Sequence, residues 1–513
     1  MHEPILHFDR GAAFKEDLGL AVGPATCHDP EHGAILAGHT GFVKRAMPNC
    51  VAYPLHMVKM SLDDCAQTAL HLIESLCRQP SVSAEGRALS ETADLVETLL
   101  SDAGFATQRL LVPGAAPAIY GEQLGEHPYT LLLYNHYDVQ PVDPLDLWDS
   151  PPFEPTLRNG SLYARGTADN KGEIAVRLAA VQRIKNERGH LPFTLRWIIE
   201  GEEEVSSPHF DQLAMDHSAL LEADACFWEG SVWADDGRPV ITLGYKGALG
   251  VRLSVQALTG DAHSGLAAVL PSAAWRLTEA LSLIRGPDGR VRIPGFYEGV
   301  VPPTDDDREV IRDQGDAIEI ALRAGYGPTS FVDDVSGEAL RERVSFSPTC
   351  NIAGISTGYT GPGLKTVLPR EAAAQVDFRL VRDQDPDTLL ADLRRYLDGS
   401  GYDDVEVVPL MKAHPVGTDL HNPLVAQVKG IAERACDATP KVLPSSPATQ
   451  PVLACLRNRL GIAGLAAPDN PAHQGSAIHA PNEHIRLEDL QRALKFCIAA
   501  LSELHEADGS APA

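Results

Sequence analysis

Residues 129–140 read YTLLLYNHYDVQ, a run that passes from an apolar block to a histidine and an aspartate within a few positions. TLLLY has the character of a strand buried on both faces. Side chains two apart along an extended chain project to the same side, so His136 and Asp138 act as one unit where the strand emerges. A strand end that merely meets water would look the same in isolation. What the other strand ends carry decides between the two.

Around this strand, from about residue 90 to 245, helix and strand patterns alternate, which predicts a mostly parallel sheet flanked by helices. KGEIAVRLAAVQRIKNERG gives the clearest helix, with Ile174, Leu178 and Val181 at i, i+4 and i+7 and Gly189 as its stop. FTLRWIIEGEEE reads as a strand ending in carboxylates. The texture changes at GYKGALG, residues 244–250. VRLSVQALTG alternates like a half-exposed strand, a helix with Leu277, Leu281 and Ile284 follows, and AAAQVDFRLV and DTLLADLRRYL repeat the order.

That is the content of a small α+β domain of ferredoxin-like type, inserted into an α/β catalytic domain. The expected division is an extension over 1–59, a first catalytic segment over 60–245, the inserted domain over 246–412, a second catalytic segment over 413–507 and a tail over 508–513. Leu490, Leu494, Ile498 and Leu501 share one face of a last helix. Residues 1–59 lack sustained periodicity, and MSLDDCAQTALHLIESLC from Met60 would make a natural beginning. Asp63 or Asp64 would cap its helix, whose apolar positions are Leu70, Leu72, Ile73 and Leu76. Cys27, His28 and His32 in the extension fit no zinc module and lack a second pair.

The 513 residues carry 43 basic and 70 acidic side chains, a formal net charge of -27, which argues against nucleic acid or an anionic membrane as partner. No apolar run approaches the roughly 18 residues of a membrane helix, and the first residues lack a basic segment followed by an apolar one. A soluble cytoplasmic enzyme is the expectation. The nine cysteines include no C-x-x-C pair, so reduced thiols are the simpler reading.

Ligands bind at the strand ends of open α/β sheets. The polar residues expected there are His136 and Asp138, Asp169 in GTADNKG, Glu203 and Glu204, Glu229 in FWEG, and His479 in IHAPNEH. Singly each has a plain explanation: Asp169 a helix cap, the run Glu202 to Glu204 a solvated turn, Glu229 a surface acid, His479 a core histidine. Together, two histidines and three carboxylates are a suitable inventory for two adjacent divalent ions, zinc in the first instance, with manganese or cobalt compatible. Two such ions facing Asp169, Glu204 and Glu229 leave one positive charge, which a bridging hydroxide would cancel, so the set can be buried at tolerable cost. Asp138 would then hold His136 in its ligating tautomer.

YNHYDVQP, LYARGTADNKG, EGEEEVSS, GDAHSG, GLKTVLPREAAAQVDFRLV and IHAPNEH resemble the motifs of the aminoacylase, carnosine dipeptidase and glutamate carboxypeptidase family of di-zinc metallopeptidases. The resemblance covers roughly residues 61 to 507 and is nearest the dipeptidase branch, since GFYEGVV and GISTGYTGPGLKTVLP resemble its lid. It implies that His136, Asp169 and Glu229 hold one metal and Asp169, Glu204 and His479 the other. Glu203 is then the general base, Asp138 supports His136, and a cis peptide falls between Asp169 and Asn170. It implies that the inserted domain is a lid that pairs two subunits, with His263 reaching the partner's site to stabilise the oxyanion. Thr366, Arg379, His414 and Thr449 match positions that grip the substrate's free carboxylate. Three departures from the family pattern are Thr449 in ATQPV for a serine after glycines, Val205 and Ser206 after the acidic run, and Glu229 where close relatives often carry Asp.

Competing readings follow from other features. GISTG at 354–358 matches the G-x-S-x-G nucleophile elbow, which needs a helix straight after Ser356, whereas YTGPGLK is rich in helix breakers. A carboxylate-binding protein without chemistry would not need Glu203. An N-acyl-amino-acid deacylase, of acetylornithine deacetylase or succinyl-diaminopimelate desuccinylase type, would use the same metals. The expected activity is hydrolysis of the amide bond in dipeptides or short peptides with a free C-terminal carboxylate.

Overall fold

The computed structural model describes residues 60–504. The expected extension, with Cys27, His28 and His32, and the expected tail lie outside the described residues. The elements that frame the site are, in chain order, α1 (Leu62–Cys77), β1 (Ala106–Leu110), β2 (Ala118–Gln123), β3 (Gly125–His136), α2 (Lys171–Arg188), β4 (Leu191–Glu200), β5 (Ala225–Phe227), β6 (Gly247–Gln256), α3 (Ala273–Ile284), β7 (Thr349–Thr357), β8 (Glu371–Leu380), α4 (Pro386–Gly399), β9 (Glu406–Ala413), α5 (Pro451–Leu460), β10 (Gly464–Leu465) and α6 (Leu487–Glu503).

Helix α1 begins one or two residues earlier than the acids expected to cap it. Ser61 is the N-cap: its hydroxyl accepts the Asp64 N–H at 3.1 Å, and the Asp64 carboxylate accepts the Ser61 N–H at 3.0 Å. Asp64 thus acts from inside the first turn, because a reciprocal pair satisfies two orphan donors where a lone aspartate satisfies one.

The larger sheet has the order β1-β2-β4-β3-β5-β10. Its β4-β3, β3-β5 and β5-β10 pairings are parallel, while β1-β2 and β2-β4 are antiparallel. The expected parallel character therefore holds for the half that carries the polar strand ends. Helix α2 lies between this sheet and helices α1 and α6, which is why its residues from Lys171 through Val181 are buried almost without a break. Ile174, Leu178 and Val181 belong to that buried set. Gly189 closes the helix at φ 82°, a left-handed conformation that costs a residue without Cβ little.

The second sheet has the order β7-β8-β6-β9 and is antiparallel throughout. With α3 and α4 it gives the β-α-β-β-α-β sequence of a ferredoxin-like unit, with a hydrophobic core of its own built from Leu249, Val251, Leu253, Leu277, Phe378, Leu393 and their neighbours. Between α3 and β7 lie three helices, Asp305–Asp313, Ala317–Tyr326 and Gly337–Phe346, to which the sequence pattern assigned nothing. They bury few apolar residues, none in the case of Ala317–Tyr326, although the first two are as amphipathic as α1. Ser356 sits on an exposed stretch of β7, and the next element among the described residues is the short strand Val367–Leu368, so the G-x-S-x-G match has no elbow geometry. The seven cysteines of the described residues are all free. No helix among those residues is long and apolar enough to cross a membrane.

Three neighbouring parallel strands point their carboxyl ends the same way. His136 closes β3 and pairs with Glu200, the last residue of β4; Glu229 follows two residues after β5. Glu200 is itself buried, and its Oε1 accepts the Tyr134 hydroxyl at 2.8 Å and the Ser207 hydroxyl at 2.7 Å. Burial pushes its carboxyl up to about 8. The folded chain therefore keeps this proton while an unfolded chain releases it from about pH 4.5 upward, so Glu200 costs stability progressively between those values. Glu200→Gln keeps an acceptor for both hydroxyls and removes the charge. Urea unfolding should show its stability relative to wild type growing by up to about 1.4 kcal/mol per pH unit between pH 5 and 8. A pH-independent offset would contradict this.

Candidate metal centre

Asp169 stands at the middle of the site. Its Oδ1 lies 3.0 Å from His136 Nε2 and its Oδ2 lies 3.0 Å from His479 Nε2. His479 Nε2 is also 3.0 Å from Glu204 Oε2, and His136 Nε2 is 4.0 Å from both Glu229 Oε1 and Glu203 Oε2. One carboxylate thus addresses two imidazoles with separate oxygens. Two close clusters of donor atoms result: His136, Glu203 and Glu229 on one side, Asp169, Glu204 and His479 on the other. Asp169 is not a helix cap; Asn170 occupies that position, and the peptide between them is cis.

Asp138 does more than orient an imidazole. His136 Nδ1 lies 3.1 Å from the Asp138 carbonyl and 3.3 Å from its Oδ1. The same carboxylate accepts the N–H of Glu203 at 3.2 Å and of Glu204 at 3.0 Å, so it pins the turn carrying both acids to the end of β3. Gln140 donates to Glu204 Oε2 at 2.8 Å. Glu202 turns away, pairing with His209 at 2.8 Å and accepting the Ala116 N–H. The acidic run is therefore neither solvated nor uniform: its three members face three tasks.

The sequence reading gave no role to Glu483 or Arg177. Glu483 is fully buried; it accepts the N–H groups of Gly166, Ala168 and Asp169 and pairs with Arg165 at 2.7 Å. It locks the loop bearing Asp169 to the loop bearing His479, across more than three hundred residues of chain. Arg177, also buried, pairs with Glu173 and Asp469 and donates to the carbonyls of Tyr134 and Trp228, joining α2 to the ends of β3 and β5. Glu173 in turn accepts the Gly230 N–H beside Glu229. The one available signal was a charged residue in the middle of a helix that proves buried on every face, as Arg177 is within α2.

The electrostatics ask for cations. Burial pushes the Glu203 carboxyl up to about 7, with Asp169 and Glu204 adding to the rise, and burial together with Glu203 holds Glu229 well above the carboxylate range. Glu204 is raised by burial and by Asp169. Hydrogen bonds to Asp169 and Glu204 raise His479 to about 10; for His136, hydrogen bonds to Asp138 and Asp169 outweigh burial and hold it well above its usual value. Protons in these places substitute for positive charge. Glu204 Oε1 and Glu229 Oε1 are moreover buried without a hydrogen-bond partner. Orphaned carboxylate oxygens beside imidazole nitrogens are what divalent-ion ligands look like, so the residues present fit two such ions.

The residues expected to bind the substrate's carboxylate are partly brought together. Arg379 Nη1 donates to Thr449 Oγ1 at 2.6 Å, joining β8 to the start of α5, while its Nε lies 3.3 Å from Asp377. His414 is exposed, 3.4 Å from Asp385. Thr366 and His263 are exposed neighbours: His263 pairs with Val367, and the Ser264 N–H donates to the Thr366 carbonyl. The described contacts of His263, His414 and Thr366 include none with the two donor clusters. Gln450, beside Thr449, went unremarked in the sequence; its Nε2 donates to Glu229 Oε2 at 3.1 Å.

Several known metallopeptidases are similar to this chain. A Beta-Ala-His dipeptidase of Mus musculus is 27% identical over 310 residues, 58% of this chain and 62% of the relative. A Cys-Gly metallodipeptidase of Schizosaccharomyces pombe is 29% identical over 281 residues, 53% of this chain and 58% of the relative, so the chain spans about three fifths of the curated relatives it matches. The solved structure of an M20 family metallo-carboxypeptidase from Sulfolobus solfataricus superposes with a TM-score of 0.79 at 33% identity, covering 85% of this chain and 98% of that one. The family model for peptidase family M20/M25/M40 matches residues 132–503. With most of its length so matched, the chain belongs to peptidase family M20/M25/M40, whose chemistry calls for divalent metal ions.

Proposed function

We propose that this chain hydrolyses the amide bond of dipeptides or short peptides with a free C-terminal carboxylate, as a cytoplasmic homodimer with two zinc ions in each subunit. The observation that carries the reading is Asp169, which offers one oxygen to each of two histidine–carboxylate clusters while Glu203 stands beside them. The relatives named for dipeptide hydrolysis support the substrate class, and the His and carboxylate donor set suits zinc, with manganese or cobalt compatible. The five-segment division of the chain is included in the proposal, its inserted domain supported by the separate core of the second sheet.

Held by His136, Asp169 and Glu229 and by Asp169, Glu204 and His479, the ions would polarise the scissile carbonyl and activate water near neutral pH. Asp138, through the N–H groups of Glu203 and Glu204, fixes the base and a ligand in one frame. Glu203 takes the proton from the attacking water and hands it to the leaving amine. Arg379, braced by Thr449, grips the carboxylate, and Thr366 and His414 are assigned to the same task. His263, exposed on its own subunit, donates to the oxyanion in the second copy.

Glu203→Gln should lower kcat by about a hundredfold to ten-thousandfold while metal content, read by atomic spectroscopy, stays at the wild-type level. Normal turnover in that variant would refute the base assignment. Arg379→Met should raise KM about tenfold or more for a dipeptide with a free carboxylate and leave the C-terminally amidated dipeptide, already a poor substrate, unaffected. Equal losses on both would remove Arg379 from carboxylate recognition.

A further inference from the structure

Gln450 immediately precedes α5 and occupies its N-cap position, yet makes no capping hydrogen bond. A side-chain oxygen there ordinarily accepts a backbone N–H of the first turn. Instead the amide reaches across the site, and its Nε2 donates to Glu229 Oε2 at 3.1 Å, leaving Glu229 Oε1 buried without a partner. Gln450 Oε1 is likewise buried and unpartnered, so no protein donor competes for this amide. Its neighbour Thr449 is tied to Arg379, which fixes the segment from the other side.

A neutral donor at this point has a specific consequence. It fixes the plane of the Glu229 carboxylate and occupies one oxygen, and it does so without the positive charge that a lysine or arginine would bring. Glu229 Oε1 is thereby left buried, without a hydrogen-bond partner, and aimed toward His136 Nε2, 4.0 Å away. We propose that Gln450 is a positioning residue for the metal centre: it sets the affinity of the cation held by His136 and Glu229 and leaves the cation at Glu204 and His479 untouched. This rests on the metal-centre portion of the proposed function and is independent of the substrate.

The test is calorimetric titration of zinc, against a competing chelator, into the full metal-free chain. Wild type, Gln450→Met, Glu229→Gln and the double variant are compared, with circular dichroism confirming that each metal-free protein is folded. Methionine keeps the length and flexibility of the side chain and loses the donor. The expected result is two sites in wild type, with one weakened about tenfold to a hundredfold in Gln450→Met and the other unchanged. In the Glu229→Gln background the second substitution should add less than about twofold. Equal weakening of both sites, no weakening of either, or a full effect persisting without the Glu229 carboxylate would overturn the inference. A wild-type chain that takes up no zinc would overturn it together with the metal-centre reading. Two bound zinc ions without dipeptide hydrolysis would sink only the substrate assignment, and the titration of Gln450→Met would still decide the inference.

Discussion

Burial of like charge is the constraint around which the catalytic half is arranged. Asp169, Glu203, Glu204 and Glu229 crowd two imidazoles at the ends of three parallel strands, and no lysine or arginine is among their described partners. Such a set is tolerable only with protons or cations in it. Cations of charge two meet the demand with fewer particles and leave the imidazoles neutral, as ligation requires. The frame that holds the set is itself charged and buried, but each of its charges faces an opposite one: Glu483 with Arg165 and three backbone N–H groups, Arg177 with Glu173 and Asp469. The contrast between paired charge in the frame and unsatisfied charge in the centre separates scaffold from site.

Much of this was legible in the sequence because it follows local rules. A buried strand ending in His136 and Asp138, the helix beginning after Asp169, and a strand running into the acids at 203 and 204 are each short-range patterns of period two or 3.6. The ferredoxin-like order of β6, α3, β7, β8, α4 and β9 was legible for the same reason. The capping of α1 by Ser61 was missed because the choice between adjacent polar residues depends on which acid can reciprocate. The three helices between 305 and 346 were missed because they are short and bury little, although two of them carry an apolar stripe. Glu483 and Gln450 were invisible for a different reason: their partners, Asp169 and Glu229, lie hundreds of residues away, and no spacing rule links them.

The two sheets divide the labour. The parallel half of the first supplies converging strand ends, and the loops after them, held by Glu483 and Asp138, bring the donors within about 3–4 Å of one another. The second sheet reaches the site at one described point, where Arg379 on β8 donates to Thr449 at the start of α5. That contact is adjacent in sequence to the one between Gln450 and Glu229. Two consecutive residues therefore contact Arg379 and Glu229 respectively, which links the second sheet to one of the donor clusters.

The central claim is that two divalent ions flank Asp169. Anomalous diffraction from crystals of the zinc-loaded protein, recorded on both sides of the zinc absorption edge, addresses it without reference to any substrate. The account predicts two peaks, one touching His136 and Glu229, the other Glu204 and His479, with an oxygen of Asp169 on each. A single peak, peaks that leave Asp169 uncoordinated, or none at these side chains would contradict it.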